Sequence, residues 1–434
     1  MPATVAVVGL WHLGCTVAAC LAATGARVVA TDPDGRVVAG LRDARLPVEE
    51  PGLADLVRAG LAAGTLVLEA DGAKAVAGAG VVWVTFDTPV NDRDEPDADR
   101  VRREIDRVLP AVTGDAVLLV SSQVPVGFSR ALADGPHAPG VRFAYSPENL
   151  RLGAAIESFR APARTIVGTA SGAPDPALAA LLAPFAGELI WMTLESAEMS
   201  KHALNAFLAT SIALTNEVAR LCEVSGADAR DVERALRSEP RIGPRAYVSP
   251  GPAFAGGTLA RDVRALARLA GGTGVAAPLV SAVLASNAEH AHWLRAKLAE
   301  LVGDLRGVPV AVLGLAYKPG TSTLRRSSAL ELCRWLAAEG ARVRAHDPAV
   351  TVLPDDGGTG VTLAATATEA LEGAEVAVVA TAWPEYRALT ADLVVASMKT
   401  PRVVDQTRFL GDTLGADARV EYVTVGSARR RRPS

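Results

Sequence analysis

A chain of 434 residues is longer than one hydrophobic core usually organises, so two or three domains are expected. With 50% apolar and 21% charged residues it has the balance of a folded protein with substantial cores. A net charge of −4 excludes a general attraction to nucleic acid or to an anionic membrane surface.

In chain order, β-branched runs at Val5–Val8, 27–31, Val81–Val84, 116–120 and, more weakly, 164–167 alternate with Ala/Leu-rich helical patterns. Strands spaced by helices indicate a parallel, doubly wound sheet. From 196 to about 305 the strand signal disappears, and 197–224 and 277–302 read as two long helices, the second long enough to span a domain or form a dimer. After Gly307-Val308-Pro309 strand runs resume at 310–313, 342–345, Val376–Val379 and 403–404. The expected α/β architecture is therefore two Rossmann-like doubly wound domains, 1–195 and 306–426, joined by a central all-helical domain, 196–305. Residues 427–434 form a basic tail whose arginines at 429–432 read as a solvated, disordered end. No run has the length and apolarity of a membrane span, and the start lacks a signal peptide's basic region and cleavage site. The four cysteines, Cys15, Cys20, Cys222 and Cys333, have no metal-ligand spacing and suggest no disulfide framework. A cytoplasmic protein without a metal site is the expectation.

The two outer domains echo one another. Val5-Ala6-Val7-Val8-Gly9-Leu10 with Gly25-Ala26-Arg27-Val28 and Asp32-Pro33 reappears as Val310-Ala311-Val312-Leu313-Gly314-Leu315 with Gly340-Ala341-Arg342-Val343 and Asp347-Pro348. In the first copy, Gly9-Leu10-Trp11-His12-Leu13-Gly14 leads into a helix, and Asp32 ends the second strand. That is the chemistry of a dinucleotide site: a tight turn, a helix N-terminus facing pyrophosphate, and a carboxylate for the adenosine ribose hydroxyls. Asp32 without an adjacent basic residue favours NAD over NADP. Trp11 stands where a second glycine would let backbone approach the pyrophosphate. Two readings follow, a working NAD site and a Rossmann-like fold that no longer binds dinucleotide tightly.

Further along, Glu50-Pro51-Gly52-Leu53, Thr88-Pro89, Ser146-Pro147-Glu148, Lys201 with Asn205, Asn216-Glu217, Arg241-Ile242-Gly243, Ala316-Tyr317-Lys318-Pro319 and Asp347-Pro348 occur in that order. The set resembles the UDP-glucose/GDP-mannose dehydrogenase family from about residue 3 to residue 412, most closely its UDP-glucose branch at Arg241-Ile242-Gly243. The resemblance implies NAD as cofactor, a nucleotide-sugar substrate and a homodimer built on the helical middle. It also implies oxidation of the sugar's primary alcohol to a carboxylate in two hydride transfers, with the aldehyde trapped on a loop cysteine.

The resemblance further supplies roles. Gly9, Trp11, Leu13, Gly14, Asp32, Thr88 and Gln123 fall on cofactor positions. Lys201 matches a lysine that stabilises negative charge on oxygen. Asn205 lies one helical turn further on and faces the same side. Asp262 matches an aspartate that removes a proton through water, or else caps a helix starting near Val263. Glu148 matches a glutamate linked to thioester hydrolysis. Arg241 matches an arginine reaching the sugar from a neighbouring subunit, and Lys318 one lining the substrate site. Phe254 and Gly256 belong to the catalytic loop, and Arg325 and Arg408 are candidates for the diphosphate.

That loop departs from the family pattern. It reads Ala253-Phe254-Ala255-Gly256-Gly257-Thr258-Leu259-Ala260-Arg261-Asp262, with Thr258 at the cysteine position. A threonine hydroxyl is a weak nucleophile unless a base activates it. Gln123 likewise replaces a threonine that helps hold catalytic water. The leading expectation is an NAD-linked oxidoreductase performing a single or transient oxidation of a nucleotide sugar. The alternatives are a catalytically silent nucleotide-sugar-binding homologue or partner subunit, and an ordinary four-electron dehydrogenase that dispenses with the thiol.

Overall fold

In the computed structural model, residues 4–89, 96–148, 150–185, 187–254, 257–324, 327–354 and 360–427 are described. They fall into two compact units divided between Leu204 and Asn205.

The first unit is built on eight strands: β1 (Val5–Val8), β2 (Val28–Thr31), β3 (Leu66–Leu68), β4 (Val81–Val84), β5 (Val117–Val120), β6 (Arg142–Tyr145), β7 (Thr165–Thr169) and β8 (Leu189–Thr193). Their order is β3-β2-β1-β4-β5-β6-β7-β8. Val5, Val7, Trp83 and Leu119 enter one core, while Ala6, Val8, Val82 and Leu118 enter another. Burial on both faces is why these strands read as unbroken apolar runs with no polar alternation. The expectation of a parallel sheet needs one correction. β6 and β7 pair antiparallel, Ala144 opposite Thr169, because the short helix Ala155–Arg160 returns the chain without a full crossover.

The second unit opens with helices. Among its described residues no strand occurs before Pro309, as the sequence pattern indicates. The helix Leu194–Ser225, whose residues up to Leu204 belong to the first unit, covers the first long apolar run. The second run is not one helix but two, Pro278–Ala291 and Trp293–Val302. At His292 the N–H turns to the Glu289 carbonyl three residues back, tightening one turn without leaving the right-handed region. Six parallel strands follow: β9 (Pro309–Leu313), β10 (Arg342–His346), β11 (Val361–Leu363), β12 (Val376–Val379), β13 (Arg402–Asp405) and β14 (Glu421–Val423). Their order, β11-β10-β9-β12-β13-β14, repeats that of the first six strands of the other sheet, and the echoed motifs sit at β1 and β9. The fold is thus α/β, with two doubly wound sheets and a helical segment between them in sequence.

Candidate active site

β1 hydrogen-bonds to both β2 and β4, so the strand order reverses beside it, and in doubly wound sheets such a reversal is where ligands bind, outside the carboxyl ends of the strands. The turn after β1 is fixed by sterics. Gly9 has φ +100°, and a Cβ there would lie 2.7 Å from the Phe86 ring. A Cβ on Gly14 would lie 1.8 Å from the Gly9 carbonyl oxygen. No other residue fits either place without moving backbone. Trp11 differs: at φ −90° and ψ −155° it is ordinary extended backbone, and its side chain is 44% exposed. The missing glycine therefore costs no backbone strain, and what remains is the room taken by the indole.

The helix His12–Ala23 has neither a side-chain cap nor an acidic residue in its first turn. Its leading N–H groups are thus suited to an anion such as a pyrophosphate. Asp32 accepts the Leu10 N–H at 2.6 Å on one oxygen and the Asp34 N–H at 2.8 Å on the other. Each oxygen keeps a lone pair for a ribose hydroxyl. Burial raises the Asp32 carboxyl above its ordinary range, with the two N–H bonds opposing it. The nearby cation Arg36 is forked onto Asp34 at 2.8 and 3.0 Å. These residues fit NAD.

Other expected residues converge in the same unit. Thr88 donates to the Gln123 carbonyl at 2.7 Å, and His202 holds the next carbonyl, that of Val124, at 3.0 Å. Leu13 and Glu148 line one cavity of about 90 Å³ with Trp83 and Phe159. Lys201 is buried and donates to the Glu148 main-chain carbonyl at 2.7 Å, while the Glu148 carboxylate accepts the Leu150 N–H at 2.8 Å.

In the second unit, Asn205 donates to Asp262 at 2.5 Å, and both side chains are buried. Asp262 is not a helix cap: the helix begins at Gly257, six residues earlier than expected, so this carboxylate lies within it. Thr258, exposed on the first turn, precedes Asp262 by four residues and shares its face of the helix. Phe254 packs on Ala209, Ala213, Val263 and Val283, and Asn287 clasps its backbone at 2.8 and 3.0 Å. Arg241 is exposed and paired with Glu239 at 2.7 Å. Lys318 is half-buried in the turn after β9. Arg408 adopts φ +57°, and its guanidinium lies 3.8 Å from Asp228. Gly256, Arg325 and the arginines of the tail lie outside the described residues.

The echoed turn is built for a different purpose. Gly314 keeps its positive φ of +94°, with Thr381 2.4 Å from a would-be Cβ. Its helix, however, begins only at Ser328, after the loop that carries Lys318. Asp347 takes N–H bonds from Leu315, Ala316, Ala349, Val350 and the Trp383 indole. Five donors consume the lone pairs that Asp32 keeps. Among the described residues this copy offers neither a helix terminus directly after the turn nor a free carboxylate to a dinucleotide.

All four cysteines are buried. Burial pushes the thiols of Cys15 and Cys333 up to about 12 and raises those of Cys20 and Cys222, so none is a thiolate near neutrality.

Comparison with known proteins agrees with this geometry. The family model for the UDP-glucose/GDP-mannose dehydrogenase family, NAD binding domain, matches residues 3–186, the one for the central domain residues 195–289, and the one for the UDP binding domain residues 311–412. The chain belongs to this family. It is 34% identical to the UDP-glucose 6-dehydrogenase of Pseudomonas aeruginosa, covering 98% of this chain and 97% of that protein. It is 32% identical to the enzyme of that name from Rhizobium meliloti, over 97% and 99% of the two. Its structure resembles a UDP-glucose dehydrogenase from Pyrobaculum islandicum at a TM-score of 0.80, with 31% identity and 93% and 94% coverage. The chain is accordingly an NAD-linked oxidoreductase acting on CH–OH, with an NAD-binding and a UDP-binding domain. Two features of the site have no counterpart in the sequence pattern, the bracing of the Val124 carbonyl by His202 and a contact between His12 and Glu50. Neither has a local signal, since the partners lie 78 and 38 residues apart.

Proposed function

We propose that this protein oxidises a UDP-glucose-like nucleotide sugar once or transiently, without a covalent thioester. The observation that carries the proposal is the absence of a usable thiol: position 258 is threonine, and every cysteine is buried. NAD, when bound, supplies the hydride acceptor. Within the chain, the Lys201 ammonium stabilises the alkoxide that forms as the sugar hydroxyl loses its proton, and Asp262, oriented by Asn205, takes that proton through water. Glu148 positions sugar or water. Thr258 takes the place of the family's nucleophilic cysteine but remains a hydroxyl, so the reaction stops at the carbonyl.

Gly9, Trp11, Leu13, Gly14, Asp32, Thr88 and Gln123 form the NAD site in this reading. Phe254, Gly256, Lys318, Arg325 and Arg408 serve the nucleotide sugar, and Arg241 serves it from a second copy. The domains follow the boundaries 1–195, 196–305 and 306–426. A homodimer is supported by Phe207, Leu214 and Leu221, which are 70%, 60% and 65% exposed and recur every seven residues on one face of the helix Leu194–Ser225. No described helix is long and apolar enough to cross a membrane, and reduced, buried cysteines suit a cytoplasmic setting.

The test is a titration with NAD and a panel of nucleotide sugars, following binding and NADH per sugar consumed. One NADH or fewer supports the proposal, and two would overturn it. Sugar binding without NAD binding would favour a silent homologue whose Trp11 blocks the pyrophosphate.

A further inference from the structure

Glu50 is a buried carboxylate to which the chemistry above gives no task. Its side chain is 1% exposed and takes three donors. His12 Nε2 and the Gly153 N–H each donate to Oε2 at 2.8 Å, and the Ala155 N–H donates to Oε1 at 2.8 Å. Burial opposes ionisation here, but these donors outweigh it and hold the carboxyl below its ordinary range.

The partners come from two separate parts of the site. His12 is the first residue of the helix whose N-terminus follows the glycine turn. Gly153 and Ala155 end the segment that starts at Ser146 and carries Glu148, whose carbonyl Lys201 holds. Capping the helix Ala155–Arg160 would need only the two N–H bonds. The bond to His12 adds nothing to that cap, and it ties the cap to the cofactor turn.

We propose that Glu50, gripped by His12, is a positioning residue that couples dinucleotide binding to the conformation of the Glu148 segment. A carboxylate with both oxygens engaged and its side chain packed has little freedom to rotate. A ligand that orders residues 9–12 therefore restricts residues 153–155 as well, and the coupling is reciprocal. Its consequence for substrate rests on the assignment of Glu148 to the sugar site.

The test is hydrogen exchange on the full chain, with NAD alone as the probe, in wild type, His12→Phe and His12→Gln. Phenylalanine keeps a planar ring but no donor, whereas glutamine restores an N–H. In wild type NAD slows exchange both at residues 9–16 and at Gly153 and Ala155. His12→Phe keeps the first protection and loses the second, and His12→Gln regains it. Protection confined to residues 9–16 in wild type, or both protections retained in His12→Phe, would overturn the coupling. Absence of protection at residues 9–16 in wild type would remove the NAD reading of the turn and this proposal with it. A parallel measurement takes the UDP-glucose Kd with and without NAD. Protection at 153–155 with no change in that Kd upholds the coupling and removes Glu148 from the sugar site.

Discussion

The substitution Thr258→Cys bears most directly on the proposed chemistry. The position is exposed on the first turn of the helix Gly257–Thr273, so the exchange should change stability by no more than about 0.5 kcal/mol. A helix N-terminus lowers a thiol pKa, and a drop of about one unit from the free value of roughly 8.5 raises the thiolate fraction at pH 7.5 from about 10% to about 50%. The variant gains a nucleophile that attacks an aldehyde and leaves readily from a thioester, in the place where wild type offers a neutral hydroxyl. Rapid quench with UDP-glucose and NAD would count NADH per sugar, and mass spectrometry would seek sugar covalently bound at residue 258. Wild type should give one NADH or fewer, and Thr258→Cys two, with a trapped adduct when hydrolysis is slow. Two NADH from wild type would refute the reasoning outright. A folded, NAD-binding Thr258→Cys that stays at one would show that residue 258 does not face the reacting carbon.

Other outcomes test the cofactor turn. Trp11→Gly should tighten NAD binding about tenfold, roughly 1.4 kcal/mol, because glycine adopts φ −90° freely and removes the indole from the approach; calorimetry showing equal affinity would mean that the ring already lies aside. Gly14→Ala should abolish NAD binding and lower stability by about 2 kcal/mol, since its Cβ would lie 1.8 Å from the Gly9 carbonyl oxygen; a near-normal Tm would show that the turn relaxes. The raised pKa of Asp32 fixes the sign of a pH effect. The carboxylate is the acceptor form, so NAD affinity is full above that value and declines as pH falls through it, beginning at a higher pH than for an ordinary aspartate. Asp32→Asn should bind more weakly and with a flat profile between pH 4 and pH 7; an unchanged slope would place the titrating group elsewhere.

Much of this molecule was legible in its sequence. Runs such as Val5–Val8 and Val376–Val379 announce strands because both faces are buried, and the paired glycine turns announce two similar sheets. The strands without a clear signal in the sequence are mostly short or at a sheet edge: β3, β11 and β14 span three residues each, and β8 is half-buried throughout. The break at His292 and the antiparallel pairing of β6 with β7 were also invisible, since both depend on what the chain packs against. The two turns make the limit plain. By sequence Asp32 and Asp347 are the same residue of the same motif, each closing a strand before proline. What separates them is the number of donors the fold brings to each carboxylate, two against five. Local pattern determines which residue stands at a turn, because backbone propensity acts over a few neighbours. Whether its lone pairs remain for a ligand is decided by groups such as the Trp383 indole, 36 residues away, which only the tertiary structure brings within reach.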